Sequence, residues 1–100
     1  MDKPVTLLDQ VLATLRENQQ AAREIGVELV GVVGSVARGE ARPDSDIDVV
    51  YDVIGQADLW GLAGLMADLE DRLGRRIDVV DREMMVPERW AWMGRDLVPL

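Results

Sequence analysis

Residues 34–48 read GSVARGEARPDSDID, and this stretch is the most informative in the chain because it joins a glycine-serine turn to two aspartates ten residues later. A valine-rich run over 28–33 precedes the turn and is typical of a buried strand. A second strand begins at Asp46. Nucleotide chemistry needs both halves of this stretch: donors that hold an anionic phosphate tail, and carboxylates that hold magnesium.

The turn itself is the predicted phosphate-binding element. Gly34 permits unusual dihedral angles and a close backbone approach, and Ser35 offers an amide and a hydroxyl at the start of a short helix over 36–38. We expect Ser35 to cap that helix and Gly39 to end it. Arg38 either contacts the triphosphate or remains in water.

The carboxylates are the predicted metal ligands. Asp46 and Asp48 are at positions i and i+2 of a strand, so they share one face with Cα atoms roughly 6.6 Å apart. Asp78 alternates with apolar residues in a third strand, and we expect it to be a third ligand. Ser45 either orients the aspartates through its hydroxyl or only ends the loop.

The rest of the pattern predicts one domain over 1–100 with an α/β sheet flanked by helices. Pro4 suits the start of the first helix, and Trp90 fits the apolar stripe of the last helix and is expected in the core. Trp92 lies off that stripe, which indicates a partner surface if it is exposed. The predicted helices span 5–25, 36–38, 59–73 and 87–96, and the predicted strands span 28–33, 46–53 and 76–80.

Composition excludes several classes of function. The chain has no cysteine and no histidine, so disulfides, thiolate sites and imidazole chemistry are excluded. The formal net charge is -8, which disfavours direct binding to nucleic acid. No apolar run is long enough for a membrane span and the start does not resemble a secretory signal, so we expect a cytoplasmic protein.

The motif Gly34-Ser35, ten residues, then Asp46-x-Asp48 resembles that of the minimal nucleotidyltransferase antitoxins, and the likeness extends to Asp78. The resemblance implies the polymerase-β-type nucleotidyltransferase fold, a mixed sheet flanked by helices. It implies that Gly34 and Ser35 hold the phosphates of ATP, and that the three aspartates bind Mg²⁺. Several members are encoded beside a HEPN ribonuclease toxin and neutralise it by transferring AMP from ATP to a toxin tyrosine, so the resemblance implies that partner.

The sequence predicts a magnesium-dependent nucleotidyltransferase in which an acceptor hydroxyl attacks the α-phosphate of ATP. The resemblance implies that Asp78 is the general base for that hydroxyl. Two alternatives stay open: an antitoxin that only occludes its toxin, and a nucleotidyltransferase that acts on a small molecule. Three aspartates argue against the first alternative, and the absence of an additional helical domain argues against the second.

Overall fold

The computed structural model describes residues 5–100, so the predicted role of Pro4 lies outside the described residues. Short 3₁₀ turns lie at Arg82–Met84 and Gly94–Asp96. The helices are α1 (Leu7–Glu17), α2 (Gln19–Glu24), α3 (Gly34–Arg38), α4 (Leu59–Leu73) and α5 (Pro87–Met93), and the strands are β1 (Val27–Val33), β2 (Ile47–Val53), β3 (Ile77–Asp81) and β4 (Val98–Pro99).

The four strands form one mixed sheet in the order β3-β2-β1-β4. β1 pairs antiparallel with β2 and with β4, whereas β2 and β3 run parallel. A register shift between Leu29 and Gly31 interrupts the β1–β2 ladder. The parallel pair needs a crossover, and α4 supplies it. The predicted sheet flanked by helices is confirmed.

The core lies between one face of the sheet and α1, α2 and α4. Alternation directs Ile47, Val49 and Tyr51 of β2 into this core. Val33 and Val50 are also fully buried, but they lie outside that cluster. On β2, Val50 alternates with the core residues, so it belongs to the opposite face of the sheet, the same face as Asp48.

Local side-chain and glycine signals mark the ends of α3 and α4. Asp58 Oδ1 accepts a hydrogen bond from the Gly61 amide at the start of α4, at 3.0 Å. Gly74 (φ 67°) ends α4 and Gly39 (φ 74°) ends α3, both in the left-handed conformation that glycine adopts without strain.

The predicted continuous helix over 5–25 is wrong, because the chain breaks at Asn18 into α1 and α2. The Asn18 side chain donates to the Thr14 carbonyl at 2.8 Å, and a local bond of this kind competes with helix propagation. The next residue, Gln19, both donates to the Leu29 carbonyl and accepts from the Leu29 amide, each at 2.8 Å. The break therefore lets one side chain fasten the helices to β1.

Two further predictions are wrong, the helix cap at Ser35 and the core position of Trp90. Ser35 is not a helix cap, because α3 begins one residue earlier, at Gly34, and its N-cap position is Val33 without a side-chain hydrogen bond. Trp90 is only half-buried, not in the core, and its ring lies 5.9 Å from the guanidinium carbon of Arg82. The same guanidinium bonds both carboxylate oxygens of Asp52, so Arg82 ties this region to β2.

The region after β3 leaves large apolar side chains exposed. Met84 is 81% exposed, Val86 60% and Trp92 64%, and we call these three residues the C-terminal patch. Met84 and Val86 also line a groove of about 470 Å³ whose floor includes Val79 and Val80 of β3. No helix within residues 5–100 is long and apolar enough to cross a membrane.

Candidate active site

The turn after β1 abuts Asp48 directly. Gly34 has φ 79°, and a Cβ atom at that position would overlap the Asp48 carboxylate oxygen Oδ2. Only glycine therefore lets the backbone pass this close to the carboxylate. The register agrees, because Val33 is the Cα partner of Asp48 across the β1–β2 ladder. The predicted phosphate turn and the predicted metal ligand are thus neighbours in space.

Parallel pairing brings the second carboxylate to the same place. Asp48 and Asp78 are Cα partners in the β2–β3 ladder, so their side chains lie on the same face of adjacent strands. The next pair, Val49 and Val79, points to the other face. Asp46 lies immediately before β2, and the adjoining Ile47 amide donates to the Arg76 carbonyl at 2.9 Å. Asp78 lies on the third strand, as predicted, and its side chain is exposed.

The carboxylates influence one another electrostatically. The pKa of Asp48 is raised, chiefly because partial burial disfavours its charge, and then because Asp78 and Asp46 repel it. Arg38 lowers the pKa of Asp48, but this opposing effect is the smallest of the four. Among the described residues, Arg38 is the cation that opposes this negative charge at Asp48, and its effect is the weakest of the four.

These carboxylates suit a divalent cation, although they are not yet close enough together to surround one. Carboxylate oxygens are hard ligands of the kind that Mg²⁺ prefers, and Mg²⁺ sites commonly use only one or two protein carboxylates. Across the described part of the chain, no group of three acidic side chains is already close enough together to hold a metal ion. Asp46, Asp48 and Asp78 share a region and a charge, but their joint ligation of metal stays a prediction.

Arg38 makes two ion pairs. Its Nε donates to Glu40 at 2.9 Å and its Nη1 to Asp96 at 2.8 Å, and these acceptors raise its pKa further. Asp96 belongs to the turn after α5, 58 residues along the chain, and no local pattern in the sequence indicated this contact. A nucleotide phosphate would therefore compete with two carboxylates for Arg38.

The two serines differ in their surroundings. Ser35 is half-buried in the first turn of α3, where helix geometry leaves amide groups without intrahelical acceptors. Ser45 Oγ accepts from the Arg42 amide at 2.8 Å, so its oxygen stabilises the loop before β2. This contact matches the interpretation of Ser45 as a residue that ends the loop. A ligand-binding role for either serine stays a prediction.

Comparison with known proteins agrees with this geometry. Residues 8–91 match the family model described as a nucleotidyltransferase domain. The protein adenylyltransferase MntA of Thermococcus cleftensis is 38% identical over 74 residues, which cover 73% of this chain and 75% of that protein. A relative from Methanocaldococcus jannaschii, provisionally named a protein adenylyltransferase, is 30% identical over 76 residues, or 75% of this chain and 78% of its own.

Solved structures share the fold. A structure provisionally named a minimal nucleotidyltransferase superposes with a TM-score of 0.77 at 32% identity, covering 99% of this chain and 100% of its own. A chain from a crystal structure of a toxin–antitoxin with AMP-PNP gives a TM-score of 0.55 at 23% identity, covering 77% of this chain and 58% of that chain. The fold predicted from the motif is confirmed.

Proposed function

This chain belongs to the nucleotidyltransferase domain family, and on that premise we propose that it is a magnesium-dependent protein adenylyltransferase that acts as an antitoxin. It transfers AMP from ATP to a hydroxyl, a tyrosine of a HEPN ribonuclease toxin. The observation that carries the proposal is the position of Asp48, which lies against the Gly34 turn and is in register with Asp78. The protein adenylyltransferase MntA, 38% identical to this chain, supports the choice of a protein acceptor.

The turn and the carboxylates bind different parts of the Mg²⁺–ATP complex. The amides of Gly34 and Ser35 bind phosphate oxygens, and Asp46, Asp48 and Asp78 hold Mg²⁺. Bound Mg²⁺ supplies positive charge that neutralises the reacting phosphate. AMP-PNP, an analogue of ATP, accompanies the toxin–antitoxin chain that shares this fold, which supports ATP as the nucleotide. In this role Arg38 exchanges Asp96 for the triphosphate.

The transfer is a displacement at the α-phosphorus. The acceptor oxygen forms a bond to that phosphorus, the bond to the oxygen that bridges the α- and β-phosphates breaks, and pyrophosphate leaves. Asp78 accepts the proton of the acceptor hydroxyl, and its exposed position on the edge strand β3 leaves it open to an incoming partner. Catalysis depends mainly on positioning and charge neutralisation.

A protein partner suits the surface beside the site. The C-terminal patch exposes two large apolar side chains and a smaller one, and its groove is lined by the strand that carries Asp78. Exposed apolar surface next to a catalytic edge is typical of a docking region for another protein. The net charge of -8 favours a partner with a basic surface. We propose that residues 1–100 act as one minimal nucleotidyltransferase domain in the cytoplasm, where ATP and a ribonuclease toxin meet.

The test is a transfer assay with ATP labelled at the α-phosphate, Mg²⁺ and the product of the adjacent gene. Label on that partner, lost in Asp48→Asn and on chelation with EDTA, is the expected result. Neutralisation of the toxin without transfer would identify an occluding antitoxin instead. Label on a small metabolite but never on protein would identify the second alternative.

A further inference from the structure

Arg75 reaches across the fold to the loop that leads into β2. It lies between α4 and β3, directly after Gly74, and is half-buried. Its Nη1 donates to the Arg42 carbonyl at 2.6 Å and to the Ser45 carbonyl at 3.1 Å. These acceptors are 33 and 30 residues away along the chain. No local sequence pattern indicates such a contact.

The loop that Arg75 contacts is already closed on itself. The Ser45 amide donates to the Arg42 carbonyl at 3.0 Å, and the Arg42 amide donates to Ser45 Oγ at 2.8 Å. The Arg42 carbonyl thus accepts both an internal bond and the bond from Arg75. A guanidinium that holds two carbonyls fixes this compact loop as a unit against the start of β3.

The attachment brackets Asp46. Arg75 holds the carbonyl of Ser45, the residue before Asp46, and the Arg76 carbonyl accepts from the amide of Ile47, the residue after it. Both attachments come from the two residues that precede β3, and Asp78 follows two residues later. The backbone that carries Asp46 is therefore tied on both sides to the strand that carries Asp78.

We infer that Arg75 is a positioning residue, which holds the Asp46 backbone in place relative to Asp48 and Asp78 without touching the nucleotide. The inference rests on the proposed function only where it assigns Asp46 to the metal site. Displacement of a reacting group by about 1 Å costs up to about 100-fold in rate. The hydrogen bonds of Arg75 therefore limit such displacement of Asp46 in a site whose carboxylates are not already arranged around a metal ion.

The neighbouring residue provides a matched control. Arg76 carries the same charge one position later, its side chain is exposed, and that side chain makes no hydrogen bond to the residues that the structure describes. Arg76→Ala therefore removes the charge but keeps the tie, whereas Arg75→Ala removes both. Arg75→Lys keeps the charge, and because both bonds come from one nitrogen, an ammonium can replace them in part.

The first measurement needs no acceptor and no nucleotide. Amide hydrogen exchange in the full chain, followed by NMR, should accelerate at least about tenfold at Ser45 and Ile47 in Arg75→Ala. It should stay near wild type in Arg76→Ala and within about threefold in Arg75→Lys. Unchanged exchange at Ser45 and Ile47 in Arg75→Ala overturns the inference. If that variant does not fold, Arg75→Gln compared with Arg76→Gln decides by the same criterion.

The second measurement separates this inference from the proposed function. Mn²⁺ added to the protein alone should broaden the Asp46 amide signal, at a Mn²⁺ concentration about three- to tenfold higher in Arg75→Ala than in Arg76→Ala. Equal concentrations overturn the link between Arg75 and the metal site. If wild-type Asp46 shows no broadening, the metal assignment itself is wrong, and the exchange data still decide whether Arg75 holds the loop.

Kinetics distinguish positioning from ligand contact. Arg75→Ala should lower kcat about 10- to 100-fold while KM for ATP stays within about twofold, and Arg75→Lys should restore most of kcat. A raised KM with kcat intact overturns the inference, because it would mean that Arg75 binds the nucleotide directly.

Discussion

Two regions of the molecule each leave a physical demand unmet. One is the face of the sheet that carries the aspartates, and the other is the C-terminal patch. On the first, Asp48 is partly buried and repelled by Asp78 and Asp46, and Arg38 offsets this effect on its pKa only weakly. On the second, Met84 and Trp92 expose apolar surface to water. In the proposed function, the first region binds cations and phosphate, and the second binds an apolar surface of the partner. We therefore expect that transfer and partner binding can be removed separately.

The largest expected effect comes from Asp48→Asn. The change keeps size and strand position but removes a charge beside the turn, so transfer should fall by about three orders of magnitude or more. The assay is AMP transfer with labelled ATP, alongside the affinity for the toxin partner. If transfer is lost and affinity is kept, the two regions are separable; transfer at the wild-type rate would contradict the metal role of Asp48.

The same variant should be slightly more stable at neutral pH. Asp48 has a raised pKa in the folded protein, so its ionised form opposes folding once the pH exceeds that pKa. Asparagine removes this penalty at pH 7 but gains little in acid, where Asp48 is protonated. Thermal unfolding at pH 7 and in acid checks the sign, and the gain should not exceed about 1 kcal/mol because solvent screens a half-exposed carboxylate.

Gly34→Ala should give the next largest effect. The new Cβ would displace the Asp48 carboxylate, so we expect about a 100-fold loss of transfer. Gly39→Ala is the matched control, because Gly39 has nearly the same φ angle and nothing within 4 Å of its added Cβ. Both variants should lose about 1 kcal/mol of stability to backbone strain, measured by denaturant unfolding. An equal loss of transfer in both would show that strain, not proximity to Asp48, is responsible.

The patch is tested by the double variant Met84→Ser and Trp92→Ser. Loss of two exposed apolar anchors should weaken toxin binding about 10- to 30-fold, measured by calorimetry, without lowering Tm. Trp60→Ser is the control, because Trp60 is 90% exposed on α4 and does not belong to the C-terminal patch. Equal weakening by Trp60→Ser would mean that the patch is not the docking surface.

The smallest expected effect concerns Arg38. Asp96→Asn removes one of its two acid partners and leaves Glu40 in place. If Arg38 also binds the triphosphate, ATP affinity should rise about two- to fivefold, because the nucleotide then competes with one carboxylate fewer. Weaker ATP binding in this variant would mean that Asp96 holds Arg38 in its productive position.

The sequence allowed prediction of whatever depends on short-range pattern. Strand alternation and turn chemistry predicted the positions of Gly34, Asp48 and Asp78. The structure pairs Asp48 with Asp78 between β2 and β3 and places Gly34 against Asp48. The break at Asn18 was not predictable, because the Gln19–Leu29 hydrogen bonds that fasten it involve a strand ten residues away. The helical period continues through this site, and tertiary contacts override it.

Long-range contacts of single side chains could not be predicted from the sequence either. Asp96 meets Arg38 and Arg75 meets the Arg42 carbonyl only because the sheet brings distant segments together. β4 was missed as well, since it has two residues and one of them is proline. Trp92 was correctly identified as a residue off the apolar stripe, and it is exposed.

The most direct test of the central claim is a crystal structure of this chain with AMP-PNP and Mn²⁺, read by anomalous diffraction. We predict Mn²⁺ bound to oxygens of Asp46, Asp48 and Asp78, with nucleotide phosphate oxygens against the amides of Gly34 and Ser35. Phosphates bound away from that turn, or Mn²⁺ bound without Asp48 and Asp78, would contradict the account.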